Sequence, residues 1–597
     1  MSWFQRLYQT YDNALEASQD SEYVIAPIAH KHEKANIEIH LNEKAEIEEI
    51  CLLPKEEDTI VQITGDNNCN WGLAVKLNIY TGEKGGLYKN QLREWAEFGK
   101  NEKVEIVNKY IQKETLLKDL EDKKIIEKKK EKKNNKTEYK ICKQDSKQKY
   151  KEPFIRWIVG FGQGSKTWEN DEIIKSWQEF MKKKNEEEGI CYITGKKTSL
   201  TQKHPTANGK NKLISSEDKK NFVFNGRFEN ADEVACIGYE VSQKAHNTLL
   251  WLTAEERGQA YINGEQKFVA WSSNLSPLPK FGGGSDELLS GNVGFDFGKK
   301  LKEKIKGYNT DLAPNADIFV IGVDNANPGR ASIIYYRELL GSQFLINIET
   351  WHNKYSWEQF LNNQYFVGTP SVDAIANFYL YNKEKEGKKP SLTDSQKKIK
   401  KSIVKDLIPS IIEGVKIPKY IEDRYVKRAS NPVALNEIQW KSILRIACAV
   451  YKGNHYEKEE RMYVDENNKD RSYLYGRLLA IIDDAEMYVL RKQDKDKERL
   501  TNAKRFMNKF AISPATTWKF LYEKFMQAYR AKIKGNWIEN DVQEIISHNS
   551  EAFKNEDNSP LNGNYLLGYF CQLKFNEEKR KEIQNKKETD NDNIKQN

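Results

Sequence analysis

QAYINGEQKFVAW, residues 259–271, sets two runs of alternating apolar and polar side chains on either side of an Asn263-Gly264 pair. Alternation with period two marks a half-buried strand, and Asn-Gly between two such runs is a strong signal for a tight type I′ turn. The stretch therefore predicts a β-hairpin, and it turns the reading of its surroundings toward sheet.

Upstream, the same segment begins CYITGKK at Cys191 and passes through His204-Pro205. A cysteine, a nearby histidine and a lysine pair invite a metal or catalytic reading. Zinc, however, takes about four ligands, usually in close pairs, and no second cysteine within ligand spacing and no flanking carboxylate pair accompany Cys191 and His204. The segment reads as a structural strand-turn block. Phe222-Val223-Phe224 adds a short apolar strand, and after the glycine-rich FGGGSDE loop IFVIGV (318–323) and SIIYYREL (332–339) continue the β-rich stretch.

Toward the N-terminus, Trp3, Phe4, Leu7, Tyr8, Tyr11 and Leu15 form one stripe behind a Ser2 cap, predicting an amphipathic helix that docks on a sheet. Residues 37–41 and 59–63 alternate as half-buried strands, and the turn-rich TGDNNCNWG (64–72) follows the second. Residues 117–151 are lysine-rich and of low complexity, which predicts a solvated insertion. Beyond residue 369 the apolar period becomes helical: Leu474, Leu478, Ile482 and Ala485 share a face, as do Trp518, Leu521, Phe525 and Tyr529. Thr369-Pro370 and Ser513-Pro514 resemble N-caps followed by proline at the first helical position.

These readings predict an α+β chain with β-rich N-terminal and middle regions followed by a C-terminal helical bundle. The expected divisions are 1–116, the insertion 117–151, a β-rich middle 152–365, a bundle 366–577 and a polar tail 578–597.

Composition narrows the function classes. With 38% hydrophobic and 11% aromatic residues in 597, the chain can bury sizeable cores and is not a disordered segment. The balance of 96 basic against 88 acidic residues is only +8, so a nucleic-acid footprint must come from local clustering. Seven scattered cysteines without a CxxC pair fit a reducing cytoplasm rather than a disulfide framework. No apolar run approaches the ~20 residues of a membrane span, so the expectation is a soluble cytoplasmic protein without a membrane partner.

The catalytic motifs are weak. GFGQGSKT (160–167) misses the phosphate-loop spacing because Ser165 separates Gly164 from Lys166. His30, Lys31, His32 and His40 lack an acidic residue spaced to complete a metal site and read as surface histidines. Asp483 and Asp484, adjacent on a helix, point to different faces. No catalytic residue, metal or cofactor is expected.

Binding chemistry is better supported. Residues 491–540 hold 13 Lys and Arg against 5 Asp and Glu, interleaved with Phe506, Phe510, Trp518 and Tyr529. A basic face with aromatics holds a nucleic-acid strand by counterion release and stacking, without reading its sequence. In 64–72, asparagine side chains offer a donor and an acceptor to base edges, and glycines permit close backbone approach.

Several blocks together resemble one family, the large subunit of the type I-C CRISPR Cascade effector, often called the Csd family. They are the opening LYQTYDNAL (7–15), ICYITGKKTSLTQKHP (190–205), VFNGRFENADEVACIGYEVSQKAHNTLLWL (223–252), FVAWS (268–272), VDNANPGRASIIYY (323–336), YLYGRLLAIIDDAE (473–486), SPATTW (513–518) and GNYLLGYFCQLK (563–574). Their collinearity over most of the chain carries the resemblance.

The resemblance implies a non-enzymatic subunit of an RNA-guided complex that inspects duplex DNA for a short protospacer-adjacent motif, helps open it, stabilises the R-loop and recruits the helicase-nuclease. Its partners are then the guide RNA (crRNA), target double-stranded DNA, the Cascade backbone subunits, the guide-handle-binding subunit, the small subunit and the helicase-nuclease. In this reading Asn67, Asn68 and Asn70 approach base edges, and Lys76, Lys84 and Lys89 lie on phosphates. Lys196 and Lys197 are further backbone candidates. Arg491, Lys492, Lys504, Arg505, Lys509 and Lys519 hold a strand. The resemblance also implies a small-subunit-like part from about residue 462, made from an internal start at Met462 or Met487. Two alternatives stay open: a nuclease using His204, His246 and Lys197, and a ribonucleoprotein scaffold without motif recognition.

Overall fold

The computed structural model describes residues 2–64, 72–142, 152–289 and 297–595, except 20, 83, 131–136, 163, 185–187, 215–230, 313–314, 362–363, 381–391, 457–461, 494–498, 549 and 554–555. The expected strand at 222–224 lies outside the described residues. Helix makes up 54% and strand 20%, with strands mainly in the N-terminal and middle regions and helices dominating the C-terminal part, as the change of period near residue 369 predicts. The chain forms two compact units, residues 1–276 with 319–338, and 277–318 with 339–597.

The first unit contains a mixed four-stranded sheet in the order Ile47–Gln62, His30–Leu41, Phe154–Val159, Val75–Lys76. His30–Leu41 runs antiparallel to Ile47–Gln62 and parallel to Phe154–Val159. The pairing slips at Asn36, whose amide explains how the parallel strand enters: Asn36 Nδ2 donates to the Glu152 carbonyl (2.8 Å) and the Phe154 N–H donates to Asn36 Oδ1 (2.9 Å). The side chain of the residue left unpaired at the slip thus satisfies backbone groups where the parallel strand begins. Helices Gly85–Gly99, Glu102–Gln112 and Asp171–Lys184 cover one face and bury Trp95, Tyr110, Trp157 and Trp177. Trp95 and Trp177 meet edge to face at 4.8 Å. Full burial of aromatic side chains such as these stabilises by roughly 1.5–3 kcal/mol each.

The quoted hairpin belongs to a six-stranded sheet ordered Tyr261–Asn263, Gln266–Ser272, Asp317–Asn327, Arg330–Leu340, Asn211–Lys212, Thr206–Asn208. Asn263 pairs with Gln266, so the loop is Gly264-Glu265, and only Gly264 has positive φ (64°). That is the pattern of a type II′ turn, one residue on from the expected Asn263-Gly264 type I′ turn. The physical reason is that glycine takes the first loop position, leaving Asn263 in the ladder. Helix Trp3–Ser18 carries the Ser2 cap, accepting from Gln5 N–H at 3.3 Å. It docks on this sheet beside helix Tyr239–Leu252: Phe4, Leu7, Tyr11 and Ala14 share a core with Leu249, Trp271, Phe319 and Ile321, and Trp271 Nε1 donates to Thr10 Oγ1 (3.0 Å). Within 117–151, helix Leu116–Asp122 and the antiparallel strands Ile126–Lys130 and Thr137–Ile141 are described.

The second unit is helical apart from the hairpin Trp357–Leu361 with Gln364–Gly368 and the few residues of the Asp317 and Arg330 strands that it includes. Capping boxes begin helices Asp394–Ile412 (Thr393 with Gln396) and Glu437–His455 (Asn436 with Gln439). The expected cap at Thr369 shifts: Ser371 Oγ accepts from Ala374 N–H (3.0 Å) at the start of Val372–Leu380. Thr369 is buried, with its N–H on Ser285 Oγ and its hydroxyl on the His352 carbonyl. Leu474, Leu478, Ile482 and Ala485 are all buried along helix Arg471–Gln493. This helix packs against Asn564–Lys595, which continues through residues where composition predicts a polar tail. Glycine is required at their crossing, because a Cβ on Gly476 would stand 2.0 Å from the Tyr565 carbonyl oxygen, and one on Gly568 2.1 Å from that of Tyr473.

Candidate nucleic-acid interface

Asn67, Asn68 and Asn70 lie outside the described residues, but both stems of their loop are described. On the incoming side Ile63 N–H donates to the Ala29 carbonyl (2.8 Å), and Trp177 Nε1 donates to the carbonyls of Ala29 and Ile63 (both 3.2 Å). On the outgoing side Leu73 N–H donates to Gln62 Oε1 (3.1 Å), while its carbonyl accepts from Tyr88 Oη (3.1 Å) and Trp157 Nε1 (2.9 Å). The stems approach so closely that a Cβ on Gly72 would lie 2.3 Å from Gln62 Cβ. The two ends of the 64–72 segment are thus held at a fixed base.

Lys76 leaves this base on the short strand Val75–Lys76, half-buried, 3.5 Å from Glu33 and over the Phe154 ring at 5.4 Å. Lys89 sits on helix Gly85–Gly99 with Glu114 at 2.6 Å and Tyr80 at 5.1 Å, so a phosphate there must compete with a carboxylate. Glu114 is held below the usual carboxylate range by that hydrogen bond and the Lys89 charge. Lys84 is exposed and immediately precedes the same helix, where unpaired N–H groups favour anions.

Lys196 and Lys197 are exposed at a tight turn. Gly195 with φ 69° closes it, and the Cys191 N–H donates to the Lys196 carbonyl (3.0 Å). Lys197 pairs with Glu188 at 2.8 Å. Cys191 itself is buried, its sulfur accepting from Gly238 N–H (3.3 Å). His204 and His246 come together in the core with ring centroids 6.3 Å apart and Ser242 between them, its hydroxyl 2.9 Å from His204 Nδ1. Burial first, then the neighbouring His246 and Lys212 charges, pushes His204 down to about 3, and burial pushes His246 down to about 4. Both rings are neutral at neutral pH, and Lys197 is engaged with a different residue.

In the second unit the basic residues divide by helix face. Arg505 and Lys509, one turn apart on helix Asn502–Ile512, are exposed, and so are Arg491 and Lys492 at the end of Arg471–Gln493. Lys519 is exposed on Pro514–Ala528 and pairs with Glu556. Lys504 faces inward instead: it is 6% exposed, 3.8 Å from Asp483 and 5.0 Å from the Trp440 ring centroid. It belongs to the core, on the same face as Ala503, Met507 and Phe510. Of the interleaved aromatics Phe510 is fully buried, whereas Phe506 packs edge to face on exposed Phe520 at 5.0 Å. Arg505 and Lys509 are thus exposed on Asn502–Ile512, the helix whose Phe506 meets the exposed Phe520 ring of Pro514–Ala528.

Sequence reasoning passed over Phe161. The glycine-rich loop rejected as a phosphate loop places it 86% exposed between Gly160 and Gly162, both at positive φ. Lys103 Nζ braces that loop by donating to the Gly164 carbonyl (2.7 Å). The available signal was a large apolar side chain between two glycines, where no element buries it. An apolar side chain so presented resembles the wedges that proteins insert between base steps.

A family model described as CRISPR-associated protein (Cas_Csd1) matches residues 7–575, nearly the whole chain. No curated protein matches it.

Proposed function

The chain belongs to this family of CRISPR-associated proteins, and from that premise we propose that it is the large subunit of a type I-C Cascade complex that reads a protospacer-adjacent motif in duplex DNA. The observation that carries the reading is the extent of the match, which takes in both the anchored loop of the first unit and the basic helices of the second. Guide pairing reads the target sequence, so the protein needs only a short-range reader and a sequence-blind strand holder. Asn67, Asn68 and Asn70 are assigned to base edges, and Lys76, Lys84 and Lys89, with Lys196 and Lys197 beyond them, to phosphates. Arg491, Lys492, Arg505, Lys509 and Lys519 hold the displaced strand. Phe161 is added as a candidate wedge for opening the duplex. Guide RNA, the other Cascade subunits and a recruited helicase-nuclease complete the assembly, in the cytoplasm.

Binding of the assembled complex to duplexes with matched and altered flanks tests this. Alanine at Asn67, Asn68 and Asn70 should abolish flank discrimination while leaving non-specific binding intact; unchanged discrimination removes the loop from motif reading. Arg505→Glu with Lys509→Glu should weaken R-loops and lower the salt dependence by about one unit of slope per lost phosphate contact. Magnesium-dependent cleavage by the purified chain that His204→Ala removes would replace this reading with the nuclease one.

A further inference from the structure

On the face of the four-stranded sheet opposite Ile37, Ile39 and Leu41, two pairs of chemically active side chains stand in register. His40 is opposite Glu49, and Glu38 is opposite Cys51. Directly opposed residues of an antiparallel pair project to one side, a few ångström apart. The sequence reading left His40 without a ligand set because Glu49 and Cys51 come from the neighbouring strand.

One nitrogen of His40 is already occupied. Arg156, buried on the third strand, holds Glu38 Oε2 from Nε (2.9 Å) and Nη2 (2.7 Å) and is itself stacked on Trp168 at 4.0 Å. The other carboxylate oxygen, Glu38 Oε1, takes the hydrogen bond from His40 Nε2 (2.9 Å). That proton assignment leaves the lone pair on Nδ1. It faces Glu49 Oε2 at 4.0 Å, too far for a hydrogen bond, with the Cys51 sulfur alongside.

A carboxylate on the far nitrogen of an imidazole whose near nitrogen points at other donors is the outer-sphere arrangement of zinc histidines. The three donor atoms lie within 4.8 Å of one another. Bonds of about 2.0–2.3 Å put the ligands of a tetrahedral shell roughly 3.3–3.8 Å apart, which a small rotation of the exposed Glu49 supplies. Nitrogen, thiolate and carboxylate together suit zinc rather than magnesium or calcium.

We propose that His40 Nδ1, the Glu49 carboxylate and the Cys51 thiolate bind one zinc ion, with solvent as the fourth ligand. The site ties the edge strand Ile47–Gln62 to His30–Leu41 beside the register shift at His40/Leu41. The thiolate binds the ion in place of its proton, so affinity falls as pH falls.

The full chain, stripped with chelator and titrated with Zn²⁺ and then Co²⁺, tests the site. One tight equivalent is expected, and the cobalt form should show a thiolate-to-metal charge-transfer band. Cys51→Ser should remove that band, and His40→Ala and Glu49→Gln should each weaken binding about tenfold or more. Metal-free circular dichroism of each variant reports whether it still folds. Failure to bind a tight equivalent, or a cobalt band that survives Cys51→Ser combined with His40→Ala, overturns the proposal.

Discussion

The Asp483 carboxylate, 4% exposed, accepts from Tyr569 Oη (2.6 Å) and Thr501 Oγ1 and stands 3.8 Å from the Lys504 ammonium. Asp484 diverges to Asn576 (3.2 Å) and Arg580, so the adjacent acids serve different contacts. Neutralising one member of a buried ion pair leaves the other charge without compensation, which costs about 3–5 kcal/mol. Asp483→Asn should therefore destabilise by that order in urea unfolding, and adding Lys504→Met should recover part of the loss, a coupling that a double-mutant cycle resolves. At this scale the sequence was partly legible. A charge count over 491–540 located the basic helices but gave Lys504 the same role as Arg505, because charge says nothing about direction. The spacing of Ala503, Met507 and Phe510 held that information, since Lys504 falls beside the stripe they form. Cys51 was beyond reach, since its meaning depends on which residue of the next strand stands opposite.

Helices Arg471–Gln493 and Asn564–Lys595 cross with Gly476 and Gly568 at the contact, so the backbones themselves touch. Gly568→Ala must push its methyl against the Tyr473 carbonyl and part the helices, at a cost of about 1–3 kcal/mol or more. Thermal melting should show the drop, and Gly476→Ala should produce a similar one. The double variant should lose less than the sum, because one separation relieves both contacts. Elements were the best-read level: period two located the strands at 37–41, 318–323 and 332–339, and period 3.6 the helices beyond 369. Junctions were read less well. Thr369 looked like a cap, yet Ser371 performs that task because Thr369 is drawn into the core by Ser285 and His352. The blocks YLYGRLLAIIDDAE and GNYLLGYFCQLK, quoted for their resemblance, contain the two crossing glycines.

Among the described residues four buried histidines weaken the fold in acid. Burial pushes His30, His246 and His352 down to about 4, and His204 to about 3. Unfolded histidine takes up its proton near pH 6.5, so between there and about pH 4 the unfolded chain binds more protons than the folded one. Stability is then fully present above pH 6.5 and falls with acidification, by about 1.4 kcal/mol per pH unit for each histidine. Melting temperature should decline over this interval, and His204→Asn should flatten the slope; a profile level down to pH 4 would contradict the neutral assignments. Among the described residues no helix is long and apolar enough to cross a membrane. Fold class was readable from periodicity, whereas the interface was readable only as composition, because exposure and pairing of a lysine are tertiary facts. The stems at Gln62 and Leu73 carry a last consequence. Trp177, Tyr88 and Trp157 secure them from the scaffold side, and each doubling of a loop adds only about 0.6 kcal/mol of closure entropy. The stretch from 64 to 72 can therefore be exchanged like a cartridge: drift or engineering can change its length and sequence at little cost to the scaffold that holds its two ends.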